Sequence, residues 1–221
     1  MTTSRSSGGL LLSAVERGEH VPPTWAELAL PGGLTVCVAT DALRARVPEA
    51  EAPIRLPASY RETIAICRAM ECLPPTREIS DAVWLAAAVH VAPRGLVVTA
   101  ADAAQMMTVE WSLRHEAGIE TQLRAARDRG EAIDGALVAD VGKDWILDNG
   151  IAQRGAVNYG WRTSATHLLQ PLGHQHNELH VDYSQVLRLV HRTAHLDGAE
   201  VDLLDVLVQR GLAERWAAPY R

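Results

Sequence analysis

Residues 170–184 form the segment that is densest in side chains able to bind metals or move protons. The candidates are His174, His176, His180 and Asp182. Because side chains alternate between the faces of an extended chain, we expect His174 beside His176 and His180 beside Asp182. Imidazole and carboxylate groups suit Zn, Fe, Mn or Ni. The spacing matches no defined metal site, so three interpretations stay open. The segment could bind a divalent metal, mainly through His174, His176 and His180. It could instead be a metal-free active-site loop or a solvated loop.

Cys72 is the first candidate nucleophile. It lies just before Pro74, close to where a helix is expected to begin, and the positive end of a helix favours the thiolate. With His176 moving the proton and Asp182 orienting the imidazole, Cys72 could attack an acyl group. The alternative is a small, buried, apolar cysteine. Ser184 is a second candidate nucleophile, although no G-x-S-x-G motif surrounds it.

Lys143 is the single lysine among 21 basic residues. Arginine enrichment with abundant alanine is typical of a GC-rich genome, and a lysine that persists there is a candidate for chemistry that arginine cannot perform. Its ammonium is compact, and burial can lower its pKa. Lys143 follows Gly142 in a turn after a predicted strand, where it could hold an anionic substrate group or act as a base for a serine. An exposed turn lysine is the alternative.

Five further residues complete the candidate site as substrate-binding groups. They are His115, Tyr159, Trp161, Tyr183 and Arg188. The aromatic residues around Tyr159 also fit a third interpretation, in which the chain is a non-catalytic module that binds a small molecule or peptide against an aromatic wall.

The elements that position these residues predict an α+β fold. A Ser/Gly-rich flexible arm is expected over residues 1–20 and a single domain over 21–221. Helices early and strands late favour a helical N-terminal half packed on a small, mainly antiparallel sheet from the C-terminal half. The predicted elements are a strand at 34–39, a helix that begins at the capping box of Ser59 and Glu62, helices near 76–89 and 102–129, strands from 136 onward, and a hairpin at Asp197-Gly198.

Composition excludes several classes of protein. The net charge is −6 with no basic run, so nucleic-acid binding is not expected. No apolar stretch is long enough to span a membrane, and the N-terminus lacks the features of an export signal. Three cysteines, an odd number in a chain without an export signal, argue against a disulfide framework. We therefore expect a cytoplasmic protein, and its oligomeric state stays open.

Several motifs, in order, resemble those of an uncharacterised bacterial family with many secreted members. The family pattern is C-x-L-P-T-R, D-A-I-W, M-T-x-V with a later His, G-H-K-K-D, Y-G-W-H, Q-P-L, a His, and V-D-Y-S followed by R-L-V. The matching segments here are 72–77, 81–84, 107–109, 142–144, 159–161, 170–172, 181–184 and 188–190, together with His115 and His176. The resemblance covers roughly residues 34–212, and it implies one domain and a shared site without implying a reaction.

Two departures from that pattern concern histidines. Val141 and Gly142 precede Lys143 where the family has His and Lys, and Arg162 follows Trp161 where the family has His. If those histidines serve a common reaction, this chain uses other groups or catalyses something else.

These observations together predict a small enzyme of acyl-group chemistry, that is, amide, peptide or ester hydrolysis or transfer. A specialised metabolite or a peptide is the expected substrate class, and no cofactor is expected. The alternatives are an enzyme that uses a divalent metal such as Zn or Fe, and the non-catalytic binding module.

Overall fold

The computed structural model describes residues 5–97, 99–148, 156–173 and 175–211. These residues form helices and mainly antiparallel sheets, which confirms the α+β class. The helices are α1 (Leu10–Glu16), α2 (Tyr60–Ala69), α3 (Arg77–Ala86), α4 (Ala100–Ala103), α5 (Val109–Asp128) and α6 (Leu203–Gln209). The strands are β1 (Trp25–Leu30), β2 (Leu34–Ala39), β3 (Arg44–Ala45), β4 (Ile54–Arg55), β5 (Cys72–Leu73), β6 (Val89–His90), β7 (Val138–Ala139), β8 (Lys143–Trp145), β9 (Asn158–Ser164), β10 (His167–Gly173), β11 (Val190–Leu196) and β12 (Ala199–Asp202).

The largest sheet joins strands from both ends of the chain. Its order is β1-β2-β11-β12, and β5 pairs with β11. Strand β2 matches the predicted strand over 34–39, and its Val36 and Val38 are fully buried. The C-terminal half adds the predicted antiparallel sheet β10-β9-β8. The sheets are therefore not confined to the C-terminal half, because the hairpin β1–β2 pairs with β11 near the C-terminal end.

Part of the predicted arm is a helix in contact with the core. Leu11 and Ala14 of α1 are each 1% exposed, and both belong to the main hydrophobic cluster. Helix α1 packs on α2, and Ser6 forms a bridge with Thr108. The prediction of a flexible arm rested on the Ser/Gly composition and was wrong for this helix. Its apolar residues 10, 11, 14 and 15 share one helical face.

Local signals in the sequence explain several element boundaries. Ser59 and Glu62 form the predicted capping box at the start of α2. The hydroxyl of Thr76 accepts a hydrogen bond from the Ile79 N–H at the start of α3. The hairpin β11–β12 turns at Asp197 and Gly198, with φ angles of 50° and 83°, as the Asp-Gly signal predicts.

Among the described residues, no helix has the length and apolar character needed to cross a membrane.

Candidate functional site

The carboxylate of Asp182 is the centre of the candidate site. Asp182 is fully buried, and its Oδ2 accepts a hydrogen bond from Lys143 Nζ at 2.8 Å. Its Oδ1 accepts from the Ser184 N–H at 2.8 Å and from Ser184 Oγ at 2.6 Å. Burial alone would raise the pKa of Asp182, but His180, Lys143 and Ser184 more than offset it and hold this pKa well below its usual range. The carboxylate is therefore ionised and held in one orientation.

Lys143 reaches Asp182 because β8 runs close to the 184–186 segment. The Lys143 N–H donates to the Ser184 carbonyl at 2.6 Å. A Cβ on the preceding Gly142 would lie 2.5 Å from that same carbonyl oxygen, so a glycine is needed for this approach. Only 6% of the lysine side chain is exposed. The compact ammonium contacts a single carboxylate oxygen in this buried site, a geometry that suits lysine better than the forked guanidinium of arginine.

The half-buried His176 and His180 lie beside Asp182. Their rings stack with centroids 3.9 Å apart and planes 3° from parallel. The Nε2 of His180 is 3.5 Å from Asp182 Oδ2, longer than a normal hydrogen bond, and this buried atom has no hydrogen-bond partner among the described residues. Burial, His180 and Lys143 lower the pKa of His176 against the opposing effect of Asp182. His176 is therefore a neutral imidazole at neutral pH.

The loop between these histidines is tied to helix α2. The Arg61 N–H donates to the Glu178 carbonyl at 3.0 Å, and the two side chains form an ion pair. The Leu179 N–H donates to Asn177 Oδ1 at 2.9 Å, which closes a turn. Sequence alternation predicted that His180 and Asp182 would lie together, and they do. The predicted partner His174 lies outside the described residues.

His115 and Tyr183 form the inner wall of the site. The His115 ring meets the Tyr183 ring edge-on at 5.2 Å, and Trp111 and Trp161 pack around them. Burial lowers the pKa of His115 to about 4, and Arg55 and Lys143 also lower it, against the opposing effects of Asp182 and the Tyr183 backbone. The Tyr183 hydroxyl accepts a hydrogen bond from the Leu96 N–H. Both side chains support the site, and His115 is neutral across the physiological range.

Two predicted substrate-binding residues make other contacts. Tyr159 donates from its hydroxyl to Asp81 Oδ1 at 2.8 Å, and Arg162 forms an ion pair with the same carboxylate. Arg188 is buried, and its guanidinium donates to the carbonyls of Ala39 and Val138, each at 2.6 Å. Because both of these terminal nitrogens bind the backbone, Arg188 joins β2 to β7 and is not available to hold a substrate carboxylate.

The environment of Cys72 contradicts the reason for proposing it as the nucleophile. Cys72 lies in β5 rather than at a helix start, it is 1% exposed, and its Sγ donates to the Met70 carbonyl. Burial, with a smaller contribution from Glu71, raises the pKa of this thiol to about 12. The thiolate is therefore disfavoured, and the alternative of a buried apolar cysteine describes the residue. Ser184 is also buried, and its hydroxyl is engaged by Asp182.

Sequence reasoning missed the buried ion cluster around Arg55. This fully buried guanidinium binds Asp41 at 2.5 Å, Glu116 at 2.8 Å and Glu120 at 2.9 Å. The cluster fixes β4 to α5 and so positions His115, which precedes Glu116. No spacing in the sequence indicated it, because the partners lie up to 65 residues apart.

Comparison with known proteins adds no relative. No family model, curated protein or solved structure matches this chain. The resemblance to the bacterial family therefore stays a prediction from the motifs quoted above.

Proposed function

We propose that this protein is an enzyme of acyl-group chemistry that hydrolyses or transfers an amide, peptide or ester bond through a histidine–aspartate pair. One observation carries the proposal. The partly exposed His180 directs Nε2 at the buried, ionised carboxylate of Asp182, while Lys143 and Ser184 hold that carboxylate from the other side. A base oriented by a fixed acid is the arrangement that general-base catalysis requires.

In the proposed reaction, His180 carries its proton on Nε2, facing Asp182, and accepts a second proton on Nδ1. That proton comes from a water molecule, or from the hydroxyl or amine of an acyl acceptor, as its oxygen or nitrogen bonds to the acyl carbon. Asp182 stabilises the resulting imidazolium. When the carbon–nitrogen or carbon–oxygen bond breaks, the imidazolium returns the proton to the leaving group. Ordinary water serves as the nucleophile for hydrolysis, since Cys72 and Ser184 are buried and engaged.

The stacked His176 suits a supporting role beside His180. Its lowered pKa leaves it neutral at pH 7, so it can accept a hydrogen bond from the substrate or the attacking water without repelling the imidazolium. A specialised metabolite or a peptide remains the proposed substrate class. We also propose a cytoplasmic location, consistent with Cys37 and Cys72 as thiols, and fractionation of the source cells checks it.

The test is a panel of para-nitrophenyl esters, aryl amides and short peptides, assayed with the wild-type protein and with His180→Gln. Loss of general-base catalysis is expected to lower kcat by about 10²–10⁴-fold. The matched control is His195→Gln, because His195 is an exposed histidine on β11 away from Asp182. Equal rates for the two variants would contradict the proposal. Turnover of no panel member, combined with saturable binding of a peptide or small molecule, would favour the non-catalytic module instead.

The second candidate function is metal-dependent hydrolysis, because the ligand atoms of His176, His180 and Asp182 all lie within 4.8 Å of one another. Zn and Fe suit this donor set. However, two parallel imidazole planes cannot both contain one ion, so a ring would have to rotate. The ammonium of Lys143 also lies beside Asp182 Oδ2 and repels a cation.

Elemental analysis of untagged protein and titration with Zn²⁺ distinguish the two functions. The metal-dependent mechanism predicts that the protein contains stoichiometric metal and that His176→Gln does not. It also predicts that EDTA abolishes the activity and that added metal restores it. These results together would contradict the metal-free mechanism. Full activity after EDTA treatment would support the metal-free mechanism.

A further inference from the structure

A second cavity, of about 100 Å³, is lined by His115 and Trp161 and by residues of α5 and of the 91–96 segment. None of His176, His180 and Asp182 lines it. Its walls combine apolar side chains such as Ile119 and Leu96 with three charged groups that the proposed mechanism does not use. These are Arg94, Arg114 and Asp140.

Asp140 lines this cavity and a smaller one that it shares with Arg162, and one of its carboxylate oxygens is unsatisfied. Its Oδ2 is buried and has no hydrogen-bond partner among the described residues. The carboxylate accepts a hydrogen bond from the Arg162 backbone, but burial outweighs this and raises the pKa of Asp140 to about 6, so the group is mainly ionised at neutral pH. Buried polar atoms in proteins nearly always have a partner, and an orphaned carboxylate oxygen calls for a donor from outside the chain.

Arg94 supplies the opposite charge. Within the described part of the chain, it makes no ion pair. The other cation of the cavity, Arg114, is bound to Glu110 by an exposed ion pair. A guanidinium without an acidic partner is well suited to receive a carboxylate through two parallel hydrogen bonds.

Two residues of the cavity wall have left-handed backbones. Asp140 has a φ of 59° and Trp161 a φ of 56°. A bulky residue such as Trp is a genuine outlier there, and such strained conformations cluster at ligand sites, where the surrounding structure enforces them. The strain therefore points to the same cavity as the unsatisfied carboxylate does.

The charges select the ligand. A simple anion would be repelled by Asp140, and a simple cation would be repelled by the two arginines. An apolar cavity of about 150 Å³ holds benzene, so a cavity of about 100 Å³ suits roughly four to six heavy atoms. We propose that this cavity binds a small zwitterionic amino acid the size of glycine or alanine, with its ammonium group on Asp140 and its carboxylate on Arg94.

Isothermal titration calorimetry of the full chain with glycine, L-alanine and D-alanine tests the proposal. Propionate and ethylamine, which each lack one charge of alanine, serve as ligand controls, and leucine serves as the size control. We expect saturable binding of glycine or alanine at one site per chain. Each of the three control ligands is expected to bind at least about tenfold more weakly. Propionate and ethylamine each leave one charged side chain of the cavity without a partner, and leucine is too large for the cavity.

Two variants locate the binding. Asp140→Asn and Arg94→Gln are each expected to weaken alanine binding at least about tenfold. Asparagine tolerates a left-handed backbone, so the first variant keeps the fold, and Arg94 lies in an irregular segment. The matched controls Asp128→Asn and Arg124→Gln change exposed residues of α5 and are expected to leave binding unchanged.

Three results would overturn the proposal. Propionate binding as tightly as alanine would make this an anion site, and ethylamine binding as tightly would make it a cation site. If no amino acid saturates the protein at millimolar concentration, the cavity is not an amino-acid site and holds only water. The proposal does not depend on acyl-group chemistry, because its readout is binding and its variants lie outside the His180–Asp182 pair.

Discussion

Asp182 sets the character of the site at the scale of single residues. Its ionised carboxylate is shared by an ammonium, a hydroxyl, a backbone N–H and the more distant His180. Such a buried charge is tolerated only with several partners, and removing one of them commonly costs about 3–5 kcal/mol. Since its pKa lies below that of the unfolded chain, Asp182 stabilises the fold above about pH 4 and loses this effect as the pH falls further.

His115 gives a pH prediction at the same scale. Burial lowers its pKa from 6.5 to about 4, so its neutral form stabilises the fold fully above pH 6.5. This stabilisation is lost as the pH falls from 6.5 toward 4, by about 3 kcal/mol in total. We expect the difference in unfolding free energy between the wild type and His115→Gln to shrink by about that amount over this range, measured by urea denaturation.

The comparison with the variant isolates His115. The raised pKa of Asp140 gives stability an opposite slope between about pH 4 and 6, but it does so in both proteins and cancels in the difference. Parallel pH profiles for the two proteins would show that His115 is not buried as a neutral group.

At the scale of elements, the close approach of β8 to the 184–186 segment creates the site. The turn between β7 and β8 places Lys143 next to the segment that carries Asp182, and the Lys143 N–H donates a hydrogen bond to the Ser184 carbonyl at 2.6 Å. Gly142 makes this approach possible, because a side chain there would collide with backbone as well as with Val186.

Gly142→Ala is therefore expected to destabilise the protein by about 1–3 kcal/mol, the usual cost of overpacking. A Cβ would lie 2.5 Å from the Ser184 carbonyl oxygen and 2.7 Å from Val186 Cγ2, so β8 would shift and Lys143 would move away from Asp182. Thermal and urea denaturation measure the loss.

Gly95→Ala is the matched control, since a Cβ at that position meets no atom within 4 Å. It is expected to change stability by less than about 0.5 kcal/mol. Equal stability of the two variants would mean that β8 can withdraw from the 184–186 segment without cost.

At the scale of the whole molecule, strands and helices from distant parts of the chain form one core. The main hydrophobic cluster contains residues from α1, the β1–β2 hairpin, α2, β11 and α6. The N-terminal segment thus contributes residues to the core, whereas the sequence had predicted a flexible arm there.

Leu11→Ala tests this participation of the N-terminal segment. Leu11 is 1% exposed, and truncating a fully buried leucine commonly costs about 2–5 kcal/mol. The control is Leu85→Ala, because Leu85 is 77% exposed, and its truncation is expected to cost less than about 0.5 kcal/mol. If both variants unfold at the same denaturant concentration as the wild type, α1 does not contribute to the folded domain.

The sequence by itself determined features that depend on near neighbours. The capping box of Ser59 and Glu62 began a helix, alternating apolar residues marked β2, and Asp197-Gly198 marked a hairpin. These signals act over a few residues, where backbone hydrogen bonding and φ preferences decide the outcome. His180 and Asp182 were predicted to share one face of a strand, and they do lie close together, although neither belongs to a strand.

Only the tertiary structure decided which distant groups meet. Lys143 and Asp182 lie 39 residues apart, and their contact depends on how β8 packs against the 184–186 segment. Cys72 looked reactive next to a predicted helix start, yet burial in β5 raises the pKa of its thiol. The burial and pKa of a side chain depend on the neighbours that folding brings to it. Those neighbours are distant in sequence, so local spacing and composition do not predict them.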